Sequence, residues 1–286
     1  MRYVLSQLNI LAIGAHPDDI ELGCGGTLIK AAKQGHNVFL YVLTRGDKSG
    51  ESEQRTNEVI ESAKFIGAKA AWIDNFEDTA LKVESKLVNH LEYFINKADA
   101  DIILTHAQND YHHDHRAVAV CTLEAARNSQ NVLAYEIPVT KEFTPQLYYD
   151  ITDVVDAKVT LIEIFWSQRG KIFTKINAIR GMAEYRALQS RLNTTITHVE
   201  SFEVLKMCVN SDFKPMKLPK HDVPKAVSDS MAKDIANVTE YRKRTTNELL
   251  VESPSDRMSA SLEKSMFSAM KAKEHLKEAN RDLLSS

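Results

Sequence analysis

Residues 9–26 read NILAIGAHPDDIELGCGG, and this stretch decides the fold. Its first part, NILAIGA, is a short apolar run suited to an extended backbone, cut off by HPDD at 16–19. GCGGTLIKAAKQG at 23–35 follows and reads as a turn, a helix and a glycine stop. The same rhythm continues outward. HNVFLYVLT at 36–44 is a strand, and 51–67 is a helix ending at Gly67. AAWI at 70–73 is a short strand, and 79–98 a longer helix. DIILTH at 101–106 is a brief apolar run ending in histidine, 114–129 a helix, and NVLAYEI at 131–137 a strand. Alternating strands and helices predict a three-layer α/β domain with a mainly parallel sheet and helices on both faces.

Beyond this, 143–152 reads as a strand, 153–168 and 173–192 as helices, and 197–207 as the strand that closes a first domain, 1–209. The section 210–286 changes character. It opens with the Pro- and Lys-rich KPMKLPKHDVPK, and two helical segments divided by ESPSD are expected after it. In the second, Met258, Leu262, Met266 and Met270 recur every four residues, an amphipathic stripe that suits packing on the main domain or a neighbouring subunit.

The chain has 286 residues, 43% of them hydrophobic and 26% charged, with a net charge of -3, as in an ordinary soluble globular protein. That balance argues against a nucleic-acid partner, which needs a strongly basic face. The cysteines, Cys24, Cys121 and Cys208, are far apart and odd in number, so free thiols in a reducing compartment are expected. The N-terminal apolar stretch is too short for a signal peptide or a membrane span, which points to the cytoplasm.

In a parallel sheet, ligands bind beyond the carboxyl ends of the strands. Two predicted strands end in polar clusters: His16-Pro17-Asp18-Asp19, and His106 followed by Asp110-Tyr111-His112-His113-Asp114-His115. A mixed imidazole and carboxylate set suits zinc, with Fe2+ or another divalent ion as alternative occupants. Neither cluster contains cysteine, which favours an open, catalytic site over a closed structural one. Asp19 can share an ion with His16 across the turn at Pro17, leaving Asp18 to take a proton from water whose pKa the ion lowers. His115 is the better-placed ligand of the second cluster. His112 and His113 are candidate donors to an oxyanion. Asp114 either orients a histidine or caps its helix, and His106 suits a packed position. The glycines of GCGG lack the dinucleotide-binding spacing, and no phosphate loop or serine nucleophile elbow occurs.

AHPDDIELGCGGT together with NDYHHDHRAV resembles the zinc-dependent N-acetylglucosamine deacetylases of the PIG-L or LmbE type. The resemblance runs from about Asn9 to Lys206, with support from Lys158, Ser167-Gln168 and HVESFEVL. It implies a Rossmann-like domain and hydrolysis of an N-acetyl group on a small amino-sugar conjugate. It implies His16, Asp19 and His115 as metal ligands and Asp18 as general base. His112 matches the histidine that stabilises the tetrahedral intermediate, and Asp114 the acid that supports it. Arg55 and Asp110 match substrate contacts, and His113 adds a further polar contact. Ile20 stands where the common pattern has Glu, and His113 where it has Pro. The section after 210 has no counterpart in that pattern, and a homo-oligomer contact is one role open to it. Hydrolysis of another small amide, or a scaffold acting through the C-terminal helices, are the alternatives.

Overall fold

The computed structural model describes residues 7–129, 131–191, 195–209 and 235–243. The opening run forms β1 (Asn9–Gly14), whose last five residues are buried, as a strand covered on both faces requires. The parallel core continues with β2 (Asn37–Thr44), β3 (Ala70–Phe76), β4 (Ile102–His106) and β5 (Val132–Tyr135). Between them run α1 (Asp19–Lys33), α2 (Ser52–Ile66), α3 (Ser85–Ala98) and α4 (His113–Ala125). Later come β6 (Leu147–Asp150), α5 (Val155–Glu163), α6 (Ile176–Ser190), β7 (Val199–Lys206) and β8 (Thr239–Arg242).

The sheet order is β6-β7-β5-β4-β1-β2-β3-β8. Strands β1 to β5 pair in parallel, whereas β7 runs antiparallel to β5 and β6, and β8 antiparallel to β3. Successive side chains of β1 enter opposite cores. Ile10 and Ala12 pack with Leu28, Val59, Leu161 and Ile179, from α1, α2, α5 and α6. Leu11 and Ile13 pack with Leu91, Phe94, Val118 and Cys121, from α3 and α4. This is the expected three-layer α/β fold. The chain leaves β1 toward β2 and β3, then returns to β4 on its other side. The resulting switch point lies between β1 and β4, and both polar clusters follow those two strands.

Several elements differ from their sequence reading. α1 starts at Asp19 rather than after GCGG, which lies inside it at a break at Cys24. α3 starts at Ser85 rather than 79, because Thr79 takes φ 62° and the N–H groups of Thr79 and Leu81 are held by the Asp114 carboxylate. The helix at 153–168 ends at Glu163 and gives way to a 3-10 turn, Trp166–Gln168. Within the section after 210, the short charged strand β8 covers the edge of β3, and Trp72 Nε1–H donates to Glu240 at 2.8 Å. The rest of the expected helical extension, with the stripe from Met258 to Met270, lies outside the described residues. No helix among the described residues is long and apolar enough to cross a membrane.

Candidate metal centre

Beyond β1 the chain turns through His16, Pro17 and Asp18, and Asp19 opens α1. Asp18 sits at φ 100°, a region L-residues rarely adopt, so something must hold it there. Arg55 of α2 does so. Its guanidinium donates to the Pro17 and Gly46 carbonyls and the Ser49 hydroxyl, and lies 3.4 Å from Asp18 Oδ2. Gly46 is left-handed, and a Cβ there would stand 2.5 Å from Arg55 Nη1, so a glycine is required.

Beyond β4 the second cluster leads into α4, which starts at His113. Its N-cap is His112, whose Nδ1 accepts the Asp114 N–H at 3.2 Å. With Nδ1 accepting, a neutral His112 carries its proton on Nε2. A ring nitrogen of His112 lies within 4.8 Å of nitrogens of His16 and His115.

Three buried donors converge where the clusters meet. His16 Nδ1 lies 3.2 Å from His115 Nε2 and 3.3 Å from Asp19 Oδ2, and His115 Nε2 lies 3.4 Å from Asp19 Oδ1. Donors placed tetrahedrally about 2.0–2.1 Å from one ion stand about 3.3 Å apart. The His/Asp cluster therefore suits a divalent metal ion in chemistry and in its pairwise spacings, with Asp19 turning Oδ2 to His16 and Oδ1 to His115. Other donor groups overlap it, among them His16 with Asp78 and Asp114, and Asp19 with His106 and His115.

The outer atoms of these rings are also engaged. His16 Nε2 lies 3.1 Å from both Asp78 Oδ1 and Asp114 Oδ2, and His115 Nδ1 lies 3.1 Å from Asp110 Oδ1. Carboxylates behind a ligating imidazole fix its orientation and raise its basicity. Asp114, matched with support of His112, thus directs its carboxylate to His16 and gives His112 only its backbone N–H. Asp110, matched with a sugar contact, is 1% exposed and sits behind His115. His113 lies at the exterior, with Nε2 donating to the Thr79 carbonyl at 2.7 Å and 3.0 Å from Asp114 Oδ1. Arg55, matched with a substrate contact, is buried against Asp18 while forming part of the pocket wall.

Two neighbours were not singled out as site residues. Asp78 follows β3 and lines the pocket; an acid just beyond a strand end was its available signal. His106, read as a packed residue, accepts the Ala15 N–H at 3.1 Å, lies 3.3 Å from Asp19 Oδ2, and stacks on His115.

Charge sorts the groups. Burial opposes ionisation of Asp19, but His115 and His106 hold its carboxyl well below the usual range. Burial likewise opposes the charge on His16 and His115; the carboxylates around them prevail, holding His16 well above its ordinary value and His115 at about 9. Burial and the cationic neighbour His115 push His106 down to about 4. Burial, with His16 and His115 nearby, also lowers His112. Asp18 is different: burial raises it to about 7 against the pull of Arg55, and its Oδ2 has no hydrogen-bond partner among the described residues.

His16, Asp18, Asp19, His112 and His115 line a pocket of about 290 Å³, near the small end of ligand sites (~300 Å³). Its apolar lining comes from Leu22, Ile137, Pro138 and Val139. Lys48, Ser49, Arg55, Gln168 and Lys171 also line it. Such a pocket encloses a group about the size of one ring and leaves the rest of a larger substrate outside.

Residues 11–126 match the family described as PIG-L, GlcNAc-PI de-N-acetylase. An uncharacterized deacetylase of Escherichia coli K12, YaiS, is 34% identical over 152 residues, covering 50% of this chain and 82% of that protein. Diacetylchitobiose deacetylase of Thermococcus kodakarensis is 26% identical over 185 residues, 56% of this chain and 69% of that one. The 4-oxalmesaconate hydratase of Pseudomonas putida is 22% identical over 231 residues, 69% of this chain and 89% of that one. The solved structure of the conserved protein TT1542 from Thermus thermophilus superposes with a TM-score of 0.64 at 22% identity, over 73% of this chain and all of that one. Its fold is therefore shared. Motifs, family match and relatives agree, and the chain belongs to the PIG-L/LmbE-type deacetylase family.

Proposed function

We propose that the chain hydrolyses the N-acetyl group of an amino-sugar conjugate, giving acetate and a free amine. The observation that carries this reading is the convergence of His16, Asp19 and His115 at 3.2–3.4 Å beside the Asp18 carboxylate, whose Oδ2 accepts no hydrogen bond among the described residues. Zinc suits the donor set, and Fe2+ or another divalent ion is the alternative. A bound ion would polarise the amide carbonyl and acidify water. The chain's own groups do the rest. Asp18, held near pKa 7, takes a proton from the attacking water and can return it to the leaving nitrogen. His112 presents its Nε2–H toward the oxygen that gains charge. The apolar lining lowers the exposure of the amide to water. Arg55, Lys48 and Lys171 line the pocket and would meet the substrate's polar groups.

The acetylated disaccharide in the name of the Thermococcus relative supports a sugar substrate, as does a pocket the size of one ring. The free cysteines, two of them buried, fit the cytoplasm. Acetate release by the Zn2+-loaded chain from a panel of N-acetylated sugars and nucleotide sugars tests the reading. At least one compound should yield acetate and amine in equal amounts; acetate from none of them contradicts it. A second reading, hydratase chemistry as named for the Pseudomonas relative, draws on the cationic lining, which suits a carboxylate substrate. Water addition without acetate release from amides would favour it.

A further inference from the structure

The glycine-rich GCGG segment has no part in the chemistry above, yet it lies at a break in the helix that carries Asp19. Cys24 adopts φ -137°, ψ 16°, so α1 consists of one turn, Asp19 to Gly23, followed by a second helix. A helix broken this way leaves carbonyls at the end of the first turn and N–H groups at the start of the second without helical partners. One buried ion pair serves both ends. Lys158 Nζ donates to the Leu22 carbonyl at 2.8 Å and to Glu200 Oε1 at 2.6 Å. Glu200 accepts the Gly26 N–H at 2.8 Å and the Thr27 N–H at 2.6 Å, capping the second helix as an acid caps any helix start. Lys158 and Glu200 are 2% and 4% exposed, and neither lines the pocket.

The glycines make this arrangement possible. A Cβ on Gly23 would stand 2.2 Å from the Tyr135 ring, one on Gly25 2.8 Å from Leu161, and one on Gly26 3.1 Å from Glu200 Oε1. The isolated first turn carries Asp19 at one end and Leu22, part of the pocket wall, at the other. A single turn has almost no stability of its own. Its position is held by Arg55 at the front, through the Pro17 carbonyl, by Ser62 donating to Glu21, and by Lys158 at the back.

We propose that Lys158 and Glu200 are positioning residues for the metal centre: their ion pair clamps the break in α1 and so fixes Asp19 against His16 and His115. The inference rests on the ligand reading above. The test is Zn2+ titration of the metal-stripped full chain, with the visible spectrum of the Co2+-substituted form recorded alongside. Glu200→Gln and Lys158→Met should each weaken Zn2+ binding at least tenfold and shift the Co2+ bands, and Lys158→Arg should recover part of the loss. Leu91→Ala, in the core on the other face of the sheet, should lower Tm while leaving Zn2+ affinity within twofold. If Lys158→Met does not fold, the near-isosteric Glu200→Gln decides. Variants that bind Zn2+ as tightly as the parent overturn the inference, as does Leu91→Ala weakening binding equally. A parent chain that takes up no Zn2+ overturns the ligand reading, and this inference with it.

Discussion

Replacing Asp18 by Asn separates the proposed base from the proposed ligands. Asn keeps the shape of the side chain and removes its charge. Asp18 is 5% exposed, and its one close charged partner is Arg55, 3.4 Å away. That guanidinium retains the Pro17 and Gly46 carbonyls and the Ser49 hydroxyl, so the turn should keep its form. The converging donors belong to His16, Asp19 and His115, so metal content should remain near that of the parent. Catalysis should not. A positioned general base contributes about 10²–10⁴-fold, or roughly 3–5 kcal/mol of barrier. The variant should therefore lose kcat by that factor with KM little changed, because Asp18 acts on water rather than holding the sugar. The assay is acetate release by Zn2+-loaded protein, with bound metal measured on the same samples. A variant that keeps more than a tenth of parental kcat, or loses metal in proportion to activity, refutes the assignment.

Metal uptake should release protons, since His115 is held at about 9 and His16 well above its ordinary value in the metal-free site. A ring must give up its extra proton to ligate, so Zn2+ binding weakens as pH falls and releases a measurable number of protons per ion. Calorimetry in buffers of different ionisation enthalpy reads this number directly, and release near zero contradicts the raised values. Gly23→Ala should destabilise the fold by about 1–3 kcal/mol or more, because the new methyl meets the Tyr135 ring; denaturant unfolding measures it, and a neutral result would show that the break in α1 can relax. Ending the chain at Lys206 should lower Tm relative to ending it at Lys243, because β8 and the Trp72–Glu240 hydrogen bond are lost and the edge of β3 is exposed. Equal Tm values would show that β8 contributes nothing.

The central fold is legible in sequence because each parallel strand is a short apolar run that ends at a change of polarity. NILAIGA ending at His16 and IILTH ending at His106 locate the two strand ends that form the switch point. The local turns are equally legible, since Pro17 and the paired aspartates act within four residues. What lies behind these residues is not legible. Arg55 reaches Asp18 from α2, Asp114 reaches His16 across 98 residues, and Asp78 enters from the stretch just beyond β3. No local periodicity encodes such pairings. They exist only once the strand order is set, and an acid next to a histidine in sequence need not be the acid that orients it. The strand TEYR at 239–242 fails to register for a related reason. It is short and half charged, and becomes a strand through pairing with β3 rather than through its own propensity. What packs against the glycines of GCGG is not legible either, because it comes from α5 and from Tyr135 and Glu200, distant in sequence.

The claim at the centre of this account is that His16, Asp19 and His115 hold one divalent ion. Diffraction from crystals of the Zn2+-loaded chain on both sides of the zinc absorption edge tests it most directly. One anomalous peak should lie about 2.0–2.2 Å from His16 Nδ1, His115 Nε2 and an Asp19 oxygen. A peak centred instead on His16 Nε2, Asp78 and Asp114, or the absence of any peak near these residues, would contradict it.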